Sequence, residues 1–280
     1  MDKKVAVVTG ASSGFGLLSS VELARRGFKV IATIRNFAKR DRLDRTIAEC
    51  GNPPCIEVRR LDVTEFASHE PFVADVVRDH GRIDVLVNNA GFSMAGFAED
   101  VSLEELREQF ETNFFGAVSV TKAVLPQMRA QRSGHVIQVT SIAGRMAHPG
   151  ISSYSASKFA LEGWSEALRL EMNPLGIRVV IVEPGSFETD IWEKNVRVAR
   201  RAFDKDSPNH ERSLKFRDHV QQQVVKRDAR EVARLIAAVA SEPNPHLRYV
   251  VGRDAKLFTW VQRLVPWKSY ERIVARKVGL

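Results

Sequence analysis

Nowhere does this 280-residue chain carry an uncharged apolar run near the roughly 18 residues that a membrane-spanning helix needs. That excludes a helical integral membrane protein. Cysteine is scarce: Cys50 and Cys55 are the only two. They are too few for a disulfide framework and read as structural thiols of a reducing compartment. The start, Met1-Asp2-Lys3-Lys4 running into Val5-Ala6-Val7-Val8, lacks the apolar length and the small-residue cleavage site of a secretory leader, so a cytoplasmic location is expected. There is no internal repeat, no low-complexity tract and no Pro/Gly/Ser-rich linker, which excludes a solenoid and separately tethered domains. Acid is in short supply, with 42 Lys/Arg against 34 Asp/Glu and a net charge of +8. Residues 245–280 alone hold eight Lys/Arg and two Asp/Glu. The excess therefore sits mostly in the tail. The body is no basic platform, and no nucleic-acid partner is expected.

What is present is a globular composition, 44% hydrophobic and 27% charged. Apolar, β-branched runs alternate with helical patterns. Strands are expected over Lys4–Thr9, Phe28–Ile34, Cys55–Arg60, Ile83–Val87, His135–Thr140 and Ile177–Val182. Helices are expected over Phe15–Arg26, Ala38–Glu49, Phe66–Asp79, Ser102–Gln131 and Ser153–Asn173. Strands parted by helix-length segments require crossovers, and continuous apolar strands require cover on both faces. The fold class is therefore α/β: a single-domain, doubly wound parallel sheet of Rossmann type, with about seven strands and helices on both faces. The domain runs over residues 1–254. Its charged segment 186–225 breaks the rhythm after the sixth strand and is expected to act as a substrate lid. Residues 255–280 form a basic, amphipathic helical tail, expected to pack on the same domain or across a dimer. A membrane-surface role for that tail is the sharper alternative.

Three motifs carry chemistry. Thr9-Gly10-Ala11-Ser12-Ser13-Gly14-Phe15-Gly16 follows the first strand and opens the first helix. Glycines there permit a tight turn and close approach of a pyrophosphate to the free N–H groups of a helix start. Asn88-Asn89-Ala90-Gly91 ends the fourth strand at the same sheet edge. Tyr154 and Lys158 share a helix face at i, i+4. A cation beside a phenol favours phenolate and lowers its pKa from about 10, as a general acid/base needs. Ser141 ends the fifth strand, where its hydroxyl can bond a substrate carbonyl.

Taken together these residues resemble the short-chain dehydrogenase/reductase superfamily, from about Val5 to Gly252. The match covers the glycine motif, the acidic motif Leu61-Asp62-Val63, and Asn88–Gly91. It continues through Asn113 in Thr112–Gly116, Ser141 with Tyr154-x3-Lys158, and Pro184-Gly185-x3-Thr189. The resemblance implies hydride transfer between a nicotinamide and a carbonyl or alcohol carbon. It implies that Asn113, Ser141, Tyr154 and Lys158 are catalytic. The implied cofactor contacts are Gly10, Ser12, Ser13, Gly14, Phe15, Gly16, Asp62, Val63, Asn88, Ala90, Gly91, Tyr154, Lys158, Pro184, Gly185 and Thr189. No metal is expected. Members of this family usually form dimers, so a homodimer or homotetramer is expected.

The end of the second strand, Ile31-Ala32-Thr33-Ile34-Arg35-Asn36, lacks the acid that bonds a ribose 2′-hydroxyl in NAD-preferring relatives. Arg35 can instead pair with a 2′-phosphate. NADP(H) is therefore favoured, with NAD(H) the alternative. Ser93, Met94, His148, Phe187 and Trp192 are the candidate substrate contacts, within an apolar pocket that also takes in Phe92 and Phe97. The strand–tail stretch from Arg248 to Lys256 looks like the branch of 17β-hydroxysteroid and retinol dehydrogenases, which implies an apolar small-molecule substrate. Rival readings are an NAD-dependent alcohol dehydrogenase and a cofactor-binding regulator. Glu188, beside the nicotinamide motif, has no explanation from the sequence.

Overall fold

The computed structural model describes residues 3–49, 55–188, 196–222 and 227–278. Thr189, Trp192 and Cys50 lie outside the described residues. Seven strands form one parallel sheet: β1 (Val5–Val8), β2 (Lys29–Ile34), β3 (Ile56–Arg60), β4 (Val85–Asn88), β6 (Gly134–Val139), β7 (Ile177–Pro184) and β9 (Arg248–Val251), in the order β3-β2-β1-β4-β6-β7-β9. The register pairs Val7 with Ile31 on one side and Leu86 on the other. The order reverses between β1 and β4. In a doubly wound sheet that reversal opens a crevice beyond the carboxyl ends of the strands, where ligands bind.

Strand residues alternate between two cores. Ala6, Val8, Val30 and Val87 pack with Leu17, Leu23 and Ile236 on one face. Val5, Val7, Ile31 and Leu86 pack with Val73, Val120, Val124 and Leu168 on the other. Successive side chains of one strand thus serve opposite layers, which is why the strands read as unbroken apolar runs. No helix among the described residues is long and apolar enough to cross a membrane.

Two elements depart from the sequence expectation. The helix expected over 102–131 is two helices, α4 (Leu103–Phe110) and α5 (Ala117–Gln131), joined by a π-helical turn over Glu111–Gly116 that contains Asn113. Such turns are rare and gather at functional sites. The second departure is a small parallel pair outside the main sheet, β5 (Ser93–Ala95) with β8 (Val196–Val198). It ties the expected lid to the loop after β4. Among the described residues, that segment carries the helix α7 (His210–Gln222). It is pinned further where the Ser207 hydroxyl donates to buried Asp100 at 2.6 Å and the Arg200 N–H donates to Glu105 at 3.0 Å.

Helix α4 begins in a capping box: Ser102 Oγ accepts from the Glu105 N–H at 3.2 Å, and Glu105 accepts from the Ser102 N–H at 2.9 Å. Ser102→Ala removes half of that exchange. It is expected to lower the free energy of unfolding by about 1 kcal/mol in denaturant titration. A change within error would assign the helix start to packing alone.

At the other end of the chain, helix α9 (Arg253–Leu264) starts at the sheet edge, and α10 (Trp267–Val278) follows it. Ala255 and Tyr270 are buried, and the Tyr270 hydroxyl donates to the Ala147 carbonyl at 3.4 Å. The boundary expected at 254/255 falls inside the first turn of α9.

Candidate active site

The glycine loop is held from below. Thr9 Oγ1 accepts from the N–H groups of Asn89 and Ala90 at 2.9 and 3.0 Å. Asn89 Nδ2 donates to the carbonyls of Thr9 and Gly10 at 2.9 and 3.1 Å. These bonds lash the ends of β1 and β4 together at the switch point. Gly10 and Gly14 have φ of 66° and 54°, conformations that side chains disfavour. A Cβ on Gly16 would lie 2.4 Å from both Asn89 Nδ2 and the Gly10 carbonyl oxygen, so only glycine fits there.

Helix α1 (Gly14–Arg25) starts beyond Ser13, which makes no side-chain cap, and its first turn has no acid. Its leading N–H groups remain available to an anion, as a dinucleotide pyrophosphate requires. The loop therefore fits the cofactor. Ser12, Ser13, Gly14 and Phe15 are half-buried along it. Phe15 stacks edge-on against Phe187, with ring centroids 5.7 Å apart. That contact places Phe187 in the main core, against the glycine loop, rather than on an open substrate wall.

Further along the edge lie Arg35 and Asp62. Arg35 is exposed at the end of β2. Burial alone would raise the Asp62 carboxyl. Hydrogen bonds from the Thr64 N–H (3.0 Å) and hydroxyl (2.8 Å), with the charges of Arg35 and Arg60, instead hold it below the usual carboxylate range. Val63 packs against Gly116 of the π turn, where an added Cβ would meet it at 2.9 Å. The Asn88 side chain turns away from the crevice and donates to Thr121 Oγ1 at 2.8 Å. Ala90 and Gly91 present backbone instead, and Gly91 lies against Asn113 Oδ1 and Lys158 Nζ.

Beyond the switch point, helix α6 (Ser152–Met172) carries Tyr154 and Lys158, which are 3% and 4% exposed. The Tyr154 hydroxyl is hydrogen-bonded to Ser141, and Ser141 Oγ also accepts from the Ala143 N–H at 3.1 Å. Lys158 Nζ donates to the Val139 carbonyl at 2.9 Å and lies 5.8 Å from the Tyr154 ring centre. The expected lowering of the phenol does not occur in this state. Burial pushes Tyr154 up to about 12 against the opposing hydrogen bond of Ser141. Burial pushes Lys158 down to about 8 against the charge of Glu162. Desolvation disfavours both charged forms and outweighs their mutual attraction at this separation.

The carboxamide of Asn113 is fully employed. It accepts from the Phe92 N–H at 3.1 Å and donates to the Phe92 carbonyl at 3.0 Å and to Ser157 Oγ at 3.2 Å. Asn113 thereby fixes the loop leading into Ser93 and Met94, both buried in β5. Apolar surface beside Tyr154 comes from Ala95, Ala143 and Ile151. Phe97 and Phe216 meet edge-on nearby at 6.1 Å, and Phe216 abuts Gly150. His148 is half-buried in the same loop.

At the end of β7, Pro184 is buried and the Gly185 N–H donates to the Val251 carbonyl at 2.8 Å. Asp254, in the first turn of α9, accepts from the Ser186 N–H at 3.0 Å and pairs with Arg227. Burial would raise Asp254, but these bonds and the Ala255 N–H hold it low. Thr9 and Asn89, both inside the motifs read from the sequence, act by holding backbone, and Asp254 is a site-building residue that those motifs do not include. The hint in the sequence was their polarity beside backbone that must be held.

Residues 4–199 match the family described as short chain dehydrogenase. The uncharacterized oxidoreductase YusZ of Bacillus subtilis (strain 168) is 42% identical over 280 residues, 99% of each chain. The 3-ketodihydrosphingosine reductase of Bacteroides thetaiotaomicron is 36% identical over 253 residues, 90% of this chain and 89% of that one. Human retinol dehydrogenase 8 is 37% identical over 194 residues, 68% of this chain and 61% of its own. Among solved structures, a short-chain dehydrogenase from Streptomyces avermitilis superposes with a TM-score of 0.80 at 34% identity, over 97% and 98% of the two chains. A metagenomic short-chain oxidoreductase in complex with NADP superposes with a TM-score of 0.69 at 26% identity, over 89% and 97%.

Proposed function

The chain belongs to the short-chain dehydrogenase family and is an oxidoreductase, and from that premise we propose that it is an NADP(H)-dependent carbonyl reductase and alcohol dehydrogenase acting on an apolar ketone, aldehyde or secondary alcohol. The observation that carries the reading is the Ser141–Tyr154 hydrogen bond beside buried Lys158, at the sheet edge where α1 offers its uncapped start.

A bound nicotinamide dinucleotide supplies or accepts the hydride. The backbone of Ser12–Gly16 would hold its pyrophosphate, Asp62 and Val63 its adenine, and Pro184 and Gly185 its nicotinamide end; Thr189, the remaining member of that motif, lies outside the described residues. Ser141 Oγ orients the carbonyl oxygen. Tyr154, protonated across the neutral range, donates its proton to that oxygen as negative charge develops there. Lys158 supplies the positive charge that stabilises the resulting phenolate. A relay water returning the proton is held by main-chain atoms of the π turn, because the Asn113 side chain is occupied by Phe92 and Ser157.

The apolar surface at Ala95, Ala143 and Ile151, closed by Phe97 and Phe216, suits a lipophilic chain. The 3-ketodihydrosphingosine reductase among the relatives points the same way. Exposed Phe115 of the π turn, with Phe159 and Leu170 of α6, forms the proposed homodimer face.

Coenzyme choice rests on Arg35. NADPH is expected to bind at least about tenfold more tightly than NADH, about 1.4 kcal/mol. Arg35→Ala is expected to erase that margin by loss of NADPH affinity alone. Fluorescence titration of both coenzymes on both proteins measures it. Equal affinities in the unaltered protein would make Arg35 a solvated charge and NAD the coenzyme.

A further inference from the structure

Two carboxylates lie deep behind the site. The Glu183 side chain, at the end of β7, is 0% exposed, and Glu162, one helical turn beyond Lys158, is 4% exposed. Acids so buried must be paired or protonated. Arg248, reaching in from β9, donates to Glu183 at 2.5 Å and also pairs with Glu162 and Glu166. Arg145 meets Glu183 from the loop after Ser141 at 3.3 Å. The other oxygen of Glu162 accepts the Thr140 hydroxyl at 2.5 Å. Thr140 stands between Val139, whose carbonyl holds Lys158 Nζ, and Ser141, which is bonded to Tyr154. Glu162 and Lys158 both abut Gly144, where an added Cβ would lie 3.0 Å from Glu162 and 3.2 Å from Lys158.

We propose that Glu162 is a positioning residue for the reaction, a buried counter-charge for Lys158 and a clamp on Thr140, itself held by Arg248 and Glu183. The proposal rests on the functional reading above. Its physical basis is a balance around one ammonium group. The titratable and charged groups gathered about Lys158 and Glu162 are Tyr154 and Glu166 from α6, Glu183 from β7, Arg248 from β9 and Arg145 from the loop. Burial pushes the Glu162 carboxyl up to about 7, with Glu183 adding to the rise and Thr140 and Arg248 opposing it. Glu162 therefore ionises at a higher pH than an ordinary carboxylate, closer to the range in which Lys158, itself pushed down by burial, gives up its charge. The anion forms where the cation most needs it, and Lys158 keeps its charge across the window in which Tyr154 must work.

The test follows the Lys158 side chain by NMR of isotope-labelled lysine, with Lys158→Met to assign the signal. It pairs this with the pH profile of carbonyl reduction by the intact enzyme. Glu162→Gln keeps the shape and the acceptor for Thr140 but removes the charge. The Lys158 midpoint is expected to fall by roughly one pH unit, and the alkaline limb of kcat to fall with it. Glu162→Asp is expected to restore most of both. A Lys158 midpoint unmoved by Glu162→Gln overturns the proposal, whatever happens to turnover. In the unaltered protein, the Lys158 signal is also expected to show a minor inflection at the Glu162 midpoint. Its absence overturns the proposal even where the Gln variant does not fold. If no carbonyl is reduced with either coenzyme, the functional reading alone falls, because the NMR arm does not depend on turnover.

Discussion

Tyr154→Phe is expected to lower kcat by roughly 100- to 10,000-fold, the span of a positioned general acid. NADPH affinity is expected to stay within about twofold, because the ring remains and only the hydroxyl is lost. The variant loses a proton donor rather than a shape. Tyr154 is 3% exposed, bonded to Ser141, and pushed up to about 12 by burial. Through the neutral range it therefore carries the proton that reduction consumes. Lys158, pushed down to about 8, is a cation below that value and neutral above it. Reduction should accordingly hold steady from about pH 6 to 7.5 and decline above 8, as the charge that stabilises the product phenolate is lost. Steady-state kinetics across that range on both proteins, with fluorescence titration of NADPH, supply the measurement. A variant retaining more than a tenth of the original kcat would remove Tyr154 from proton transfer.

The architecture was legible because both of its signals are local. Continuous β-branched runs such as Ile177–Val182 can only be strands covered on two faces, and the intervening helices follow from their periodicity. The glycine loop and the Tyr154/Lys158 pair were legible because steric and chemical need restrict the residue types at fixed spacing. What escaped has a different origin. The π turn at Asn113 has the periodicity of an ordinary helix to within one residue, so nothing in the 102–131 pattern marks it. The β5–β8 pair joins segments about a hundred positions apart through strands of three residues, too short to show alternation. Asn88 reads as a crevice residue, yet it satisfies Thr121 inside the helix layer. The balance of burial over attraction at Tyr154 and Lys158 depends on how completely the surrounding chain excludes water. One signal was present and unread: Glu183 is an acid at the end of a strand otherwise apolar but for Arg178, and a charge in such a place calls for a partner.

That partner supplies the largest expected effect on stability. Arg248→Met keeps the aliphatic stem but withdraws the cation shared by Glu162, Glu166 and Glu183. Breaking a buried ion pair from one side costs about 3–5 kcal/mol. With the Arg248 side chain 23% exposed, the lower end, about 3 kcal/mol at neutral pH, is expected. The sign of the pH dependence follows from Glu162. Its folded-state pKa, about 7, lies above the ordinary carboxylate value, so the folded protein holds that proton more tightly than the unfolded chain. On its account stability is full below about pH 4.5 and declines as pH rises towards 7. Arg248 is one of the influences that lower this pKa. Without it the carboxyl rises further, and the decline continues beyond 7. The deficit of Arg248→Met should therefore be smaller near pH 5.5 than near pH 8.5, as read by denaturant unfolding at the two values. An equal deficit at both would mean that the stem of Arg248, and not its charge, braces β9 against β7.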